Sequence, residues 1–101
     1  KLEGDKVTKI YEKPEVAPSE YAVTGVYIYD HRVFDIIKTL ERSDRGELEI
    51  TDVNNRYIEW GDMTYDVLEG WWTDAGTVES LLLANNLVAN GEKEAQASGM
   101  E

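Results

Sequence analysis

Residues 21–30 read YAVTGVYIYD, and this stretch decides how the chain folds. β-Branched and aromatic residues fill it, the composition of a pleated strand and not of a helix. Apolar side chains fall on both of its faces, so it is expected to be a central strand covered on both sides. Asp30 ends it. A carboxylate at that position can accept a bond from the free N–H groups of a first helical turn, so Asp30 is expected to cap a helix over about 31–40. Val33, Phe34, Ile36, Ile37 and Leu40 would form its buried side.

On the N-terminal side, Lys6 to Glu12 alternates apolar and polar (Val7, Ile10) and predicts another strand. Gly4-Asp5 before it is a turn signal, and Pro14 to Glu20 is a loop. On the C-terminal side, Ser43 to Gly46 is a loop. A second helix is predicted over 48–60, with Val53, Tyr57 and Trp60 on one stripe and Gly61 ending it. Met63 to Leu68 alternates again and predicts a third strand. Trp71 to Gly76 is a loop. Thr77 is expected to cap a third helix through about Asn90, with Val78, Leu81, Leu82 and Val88 as core candidates and Gly91 as its stop. From Glu92 the chain is polar and rich in small residues, so 92–101 is expected to fray. The chain is thus α/β, with about three strands and three helices. Three strands are few for a free-standing sheet.

Composition narrows the function classes. The chain has 101 residues, 42% of them hydrophobic, with a net charge of −11. Nucleic acid and anionic membranes need clustered Lys and Arg, so neither is an expected partner. No apolar run approaches the roughly 18 to 20 residues needed to span a bilayer. With no cysteine, disulfides and thiolate metal sites are excluded. No signal peptide is visible and a cytoplasmic setting is expected. Six Tyr and three Trp are a heavy aromatic load. Some of those rings are expected to pack on, or line a cleft with, something outside the chain.

Four clusters could carry chemistry. Glu12-Lys13-Pro14 lies at a strand end, where proline forces the chain out of a sheet. Glu12 could accept hydrogen bonds from sugar hydroxyls, and Lys13 could meet a phosphate as a point charge. The alternative is a solvated ion pair beside a turn. In Arg45-Gly46-Glu47-Leu48-Glu49-Ile50-Thr51, an Arg precedes a helix start, and Arg plus helix N–H groups make a phosphate clamp. The alternative is an ordinary helix start with acidic residues favouring the dipole. In the loop Trp71 to Thr77, Asp74 could be a hard-oxygen ligand for Mg²⁺, or else an Asx turn leading into the helix. Thr24-Gly25 allows a ligand to approach the backbone or marks a bulge. His31, the single His, reads as a surface residue.

The order and spacing of these segments make a pattern. EKP, then YAVTGVYIYD, then RGELEITDVN, then WTDAGT closely resembles the C-terminal half of the catalytic domain of glucose-1-phosphate thymidylyltransferases and related sugar-1-phosphate nucleotidylyltransferases. The resemblance covers about residues 5–90. It implies a fragment of a Rossmann-like nucleotidyltransferase sheet. It also implies joining a nucleoside triphosphate, dTTP by the nearest likeness, to a sugar 1-phosphate, glucose 1-phosphate by the same likeness, with release of pyrophosphate. On that likeness Glu12 holds sugar hydroxyls, and Lys13 and Arg45 contact the sugar phosphate. Val23 and Tyr27 line the sugar pocket, and Asp74 is one of two Asp ligands for Mg²⁺, with Trp72 beside it. Where the thymidylyltransferases typically read WLDTGT this chain reads WTDAGT, and the preceding 68–71 segment is shorter.

The family's glycine-rich GxGTRLxPxT loop, its catalytic Lys and its other metal Asp precede EKP and do not occur in these 101 residues. The chain is therefore expected to be a fragment, with residues 1–91 as the sugar-phosphate-binding part, inactive as a transferase by itself. The N-terminal half of the domain would be its partner, and a homo-oligomer is expected. The competing reading is a non-catalytic sugar-phosphate-binding or structural module.

Overall fold

The computed structural model describes residues 1–97. The chain forms two compact units, the first Lys1–Asp66 and the second beginning at Val67. In the first unit, β1 (Leu2–Glu3) and β2 (Lys6–Val7) pair antiparallel, Leu2 opposite Val7 and Glu3 opposite Lys6. Gly4, at φ 59°, takes the left-handed position of the two-residue loop between them, which any side chain would strain.

This hairpin is the only ladder among the described residues. The strand expected over 6–12 is Lys6–Val7 alone, and neither 21–29 nor 63–68 is a strand. Strand propensity describes side chains that suit a pleated surface. A strand exists only when its N–H and C=O groups meet a neighbour. The expected cover on both faces is likewise missing, since Val26 is 79% and Ile28 97% exposed, while Tyr29 is half-buried.

The core of this unit lies between α1 (Val33–Thr39) and α2 (Ile50–Glu59). Ile36, Val53 and Tyr57 are buried there, and Tyr29, Val33, Leu40 and Met63 pack around them. Phe34 and Ile37, expected inward, are exposed. A helix this short offers α2 one narrow stripe, at Val33, Ile36 and Leu40, and the flanking positions point away from it. Asp30 is not the cap of α1: that position is Arg32, with no side-chain cap bond, and Asp30 Oδ1 accepts the Arg32 N–H at 3.1 Å just ahead of the helix.

The end of α2 follows the sequence closely. Gly61, at φ 74°, donates its N–H to Ile58 O, and Asp62 donates to Tyr57 O, both at 3.0 Å. That is the paired bonding of a Schellman stop. Trp60, expected on the buried stripe, is half-exposed, but its ring meets Tyr57 edge-on at 5.5 Å. Tyr57 stacks on Tyr29 at 5.6 Å, and Tyr29 on Tyr27 at 6.0 Å. This row fastens segment 21–29 to α2 through side chains instead of backbone bonds.

Polar bonds reinforce it. Tyr29 Oη donates to the buried Asn54 Oδ1 at 2.5 Å. Burial, aided by neighbouring Tyr27 and Tyr57, pushes the Tyr29 hydroxyl up to about 12. Arg32 bridges Asp30 (2.7 Å) and Asp62 (2.8 Å), with its guanidinium over the Tyr57 and Trp60 rings. Tyr57 Oη also donates to Asp30 Oδ1 at 2.8 Å.

The bonds from Arg32, then from Tyr57, hold the Asp30 carboxyl down at about 2 from an ordinary 3.8. A depressed carboxylate stabilises the fold above its unfolded pKa, and that contribution disappears as pH falls through the folded value. Thermal stability should therefore drop between about pH 4 and pH 2, and Asp30→Asn should flatten the drop. Melting curves of both proteins across that range test this, and equal slopes would remove Asp30 as the cause.

In the second unit, α3 runs Val78–Ala97. Thr77 caps it as expected: Thr77 Oγ1 accepts the Ser80 N–H at 3.1 Å, and Ser80 Oγ accepts the Thr77 N–H at 2.9 Å. This is a capping box with Ser in the place usual for Glu. Thr77→Ala should cost about 1 kcal/mol of helix stability, visible as faster amide exchange at residues 78–80. Unchanged exchange would mean that the box contributes little.

Gly91 does not stop the helix. A mid-helix Gly costs roughly 1 kcal/mol against Ala, and the residues after it, Glu92-Lys93-Glu94-Ala95-Gln96-Ala97, are strong helix formers that carry the helix through it. Of the tail expected to fray, 92–97 is helical, and 98–101 lies outside the described residues. The expected core positions Val78, Leu81, Leu82 and Val88 are exposed, and Ala84 and Leu87 are half-buried. Among its described residues this unit holds one helix and a loop, with no second layer to cover an apolar face.

Candidate functional site

Two of the sequence clusters meet in the first unit. Asn55 on α2 holds the chain just before EKP with two bonds: Ile10 N–H donates to Asn55 Oδ1 at 2.9 Å, and Asn55 Nδ2 donates to Ile10 O at 2.8 Å. Two residues on, Glu12 Oε2 accepts a 2.6 Å bond from Thr51 Oγ1 in the first turn of α2. Lys13 follows at φ 41°, a left-handed conformation that a non-glycine residue rarely adopts.

The segment before α2 folds back on itself. Ser43 N–H donates to Glu47 O and Gly46 N–H to Ser43 O, both at 2.8 Å, and Gly46 sits at φ 77°. The buried Glu49 carboxylate gathers this loop. It accepts from Ser43 Oγ at 2.9 Å and from Arg45 Nε and Nη2, the shortest at 2.8 Å. Arg45 Nη2 also lies 3.4 Å from Glu47 and 3.6 Å from Glu12.

The bonds from Arg45, then Ser43, lower the Glu49 pKa, and the charge of Lys13 adds to this. The same pairing with Glu49 raises that of Arg45. Arg45 thus sits five residues ahead of α2 among three carboxylates. All these contacts use Nε and Nη2 of its fork.

Among the described residues of the first unit, no bond joins Val23 or Tyr27 to this cluster. Val23 and Tyr27 are exposed, and Tyr27 reaches the fold through its stack on Tyr29. Gly25 has an ordinary backbone and open space where a Cβ would lie, so nothing there requires glycine. His31 is exposed, as expected.

Trp72 and Asp74 belong to the second unit, where Trp72 is exposed. Asp74 Oδ1 accepts the Ala75 N–H at 2.8 Å, local turn bonding of the kind that competed with the metal reading. No group of three or more metal-ligating side chains occurs among the described residues. Asp74 fits Mg²⁺ as a single hard-oxygen donor, which suffices only with substrate phosphates or a further carboxylate.

A groove of about 630 Å³ runs beside this cluster, lined by Thr8, Lys9, Leu40, Arg42, Asn55 and Arg56. Its walls mix acids and bases, Glu41, Asp52 and Glu59 with Lys9, Arg42 and Arg56. The Glu12–Arg45 cluster converges, and so it is the stronger candidate.

Reading the sequence singled out Glu12, Lys13 and Arg45 but left Thr51, Ser43 and Glu49 without roles. One signal was present. Thr51 and Asn54 share the inner face of α2 with Val53 and Tyr57, and polar residues on a buried stripe need specific partners.

Comparison with known proteins gives the family. A model of the nucleotidyl transferase family matches residues 1–91, and the chain belongs to that family. It is similar to the glucose-1-phosphate thymidylyltransferase of Mycolicibacterium smegmatis, 45% identical over 82% of this chain and 30% of that protein. It is also similar to the low-salt glycan biosynthesis nucleotidyltransferase Agl11 of Haloferax volcanii, 47% identical over 81% of this chain and 23% of that protein.

Among solved structures, one from Bacillus anthracis in complex with a sucrose, provisionally named a glucose-1-phosphate thymidylyltransferase, superposes with a TM-score of 0.75. It is 55% identical and covers 85% of this chain and 35% of its own. The chain therefore spans about a third or less of the length of these relatives. No helix among the described residues is long and apolar enough to cross a membrane.

Proposed function

We propose that this chain is the sugar-1-phosphate-binding part of a nucleotidylyltransferase that makes a nucleotide-sugar, with glucose 1-phosphate and dTTP as the substrates its relatives suggest. The observation that carries the reading is the approach of Glu12 to Arg45, at 3.6 Å, from two segments far apart in sequence. Carboxylate and guanidinium side by side suit a ligand with hydroxyls at one end and phosphate at the other.

In this reading Glu12 accepts sugar hydroxyls. Arg45 and Lys13 neutralise the sugar phosphate, Arg45 through fork positions that Glu49 does not take. Val23 and Tyr27 line the sugar pocket. A phosphate oxygen of the sugar attacks the α-phosphorus of the triphosphate, the bond from that phosphorus to the bridging oxygen breaks, and pyrophosphate leaves. Positioning and charge neutralisation dominate such a transfer. Asp74, beside Trp72, would supply one ligand to Mg²⁺, which offsets negative charge on the phosphates.

The triphosphate-binding loop of the family lies outside this sequence, so the chain alone is expected to be inactive in transfer. Calorimetric titration with glucose 1-phosphate, with and without Mg²⁺ and with Arg45→Ala as control, tests the reading. Saturable binding that the substitution removes supports it. A folded chain that binds no glucose 1-phosphate contradicts a preformed sugar-phosphate site.

A further inference from the structure

We propose that Thr51 is the positioning residue for Glu12, holding that carboxylate so that one oxygen stays turned to the sugar hydroxyls. The inference rests on the sugar-1-phosphate reading and deepens it by naming what orients the hydroxyl acceptor.

The two Glu12 oxygens have different surroundings. Oε2 is bonded at 2.6 Å to Thr51 Oγ1, on a residue only 7% exposed. Oε1 faces Arg45 Nη2 at 3.6 Å, beyond direct hydrogen-bond length. A buried hydroxyl must place its proton on an acceptor, and a charged acceptor makes the stronger bond. The Thr51–Glu12 bond therefore fixes the end of an otherwise mobile side chain, whose terminal torsion is broad and two-fold. The Asn55 clamp on Ile10 holds the backbone two residues away, so hydroxyl and carboxylate are both carried by α2.

Without the Thr51 hydroxyl, nothing on α2 opposes the collapse of Glu12 onto Arg45. A carboxylate and a guanidinium prefer two parallel bonds. That pairing would occupy both Glu12 oxygens and a second edge of the guanidinium, removing the sugar acceptor and part of the phosphate donor together. Thr51 thus keeps two opposite charges close without letting them join through two parallel hydrogen bonds.

The test is a double-mutant cycle on the full chain, with glucose 1-phosphate affinity measured by calorimetry. Thr51→Val keeps the side chain's shape and removes the donor, and it should weaken binding about tenfold. Thr51→Ser restores the donor and should restore affinity. Thr51→Val placed on Glu12→Ala should cost nothing further, a result that a merely structural role for Thr51 would not produce.

Full affinity in Thr51→Val, an equal loss in the Glu12→Ala background, or no recovery with Thr51→Ser would each overturn the inference. If Thr51→Val does not fold, Thr51→Ala takes its place in the cycle. The two levels of the argument fail differently. Glu12→Ala with unchanged affinity, or no binding by the unsubstituted chain, sinks the sugar-phosphate reading and this inference with it. A loss in Glu12→Ala but none in Thr51→Val sinks this inference alone.

Discussion

Arg45→Ala is expected to weaken glucose 1-phosphate binding about a hundredfold, the upper part of the range for losing hydrogen bonds to a charged group. The guanidinium is held in place before any ligand arrives, because Glu49 takes Nε and Nη2 and Ser43 ties that carboxylate to the loop. A phosphate thus meets donors whose orientation is already set, so less entropy is lost on binding. Arg45→Lys should recover only part of the affinity, since an ammonium is a point charge without the fork. About two-fifths of the Arg45 side chain is exposed, at 41%, so the affinity should also fall with added salt. The substitution has a second consequence. Glu49, whose side chain is 10% exposed, keeps only Ser43 among its hydrogen-bond donors, and loop 43–49 should loosen. Dissociation constants for the three proteins at two salt concentrations check this. Undiminished affinity in Arg45→Ala would move the phosphate contact elsewhere, with Lys13 next in line.

Ile36→Ala should destabilise the first unit by about 3 kcal/mol, within the usual range for emptying a buried aliphatic site. Only three hydrophobic side chains in the first unit, Ile36, Val53 and Tyr57, are buried, and Ile36 is the one that α1 contributes. The stability of a unit this small is itself only several kcal/mol, so the variant should be substantially unfolded at room temperature. The site would be lost with it, because α2 carries Thr51 and Asn55, which hold Glu12 and Ile10. Urea unfolding followed by Tyr and Trp signals measures the change. A cost under about 1 kcal/mol, below the range for such truncations, would show that the α1–α2 interface is not what holds this unit together.

The second helix shows how much of this was legible. Gly61 as a stop, Thr77 as a cap and Gly4 as a turn residue were all readable, because each acts through bonds to residues within a few positions. Gly91 was misread because a helix end is a sum over neighbours. One poor residue does not outweigh six good ones after it. The segment YAVTGVYIY shows the opposite limit. Its composition suits a central strand, yet it pairs with no strand among the described residues, and Ile28 faces solvent at 97% exposure. In the candidate site, Glu12 and Arg45 were legible as residue types suited to hydroxyls and phosphate. The ring of Glu47, Glu49 and Glu12 around the guanidinium was not, because nothing in the spacing tells which acid folds back on which base.

The linear sequence determined the three helices and most of their ends, and through the order EKP, RGELEITD and WTDAGT it pointed to the family. Those features depend on short-range bonding and on side-chain chemistry repeated along the chain. Tertiary structure alone decided that α1 buries only one narrow stripe, that a row of aromatic rings fastens 21–29 to α2, and that Thr51 grips Glu12 from 39 residues away. The physical reason is that contacts between distant residues form only after the loops between them have closed. Which pairs then meet depends on how α1 and α2 pack, and no local propensity encodes that.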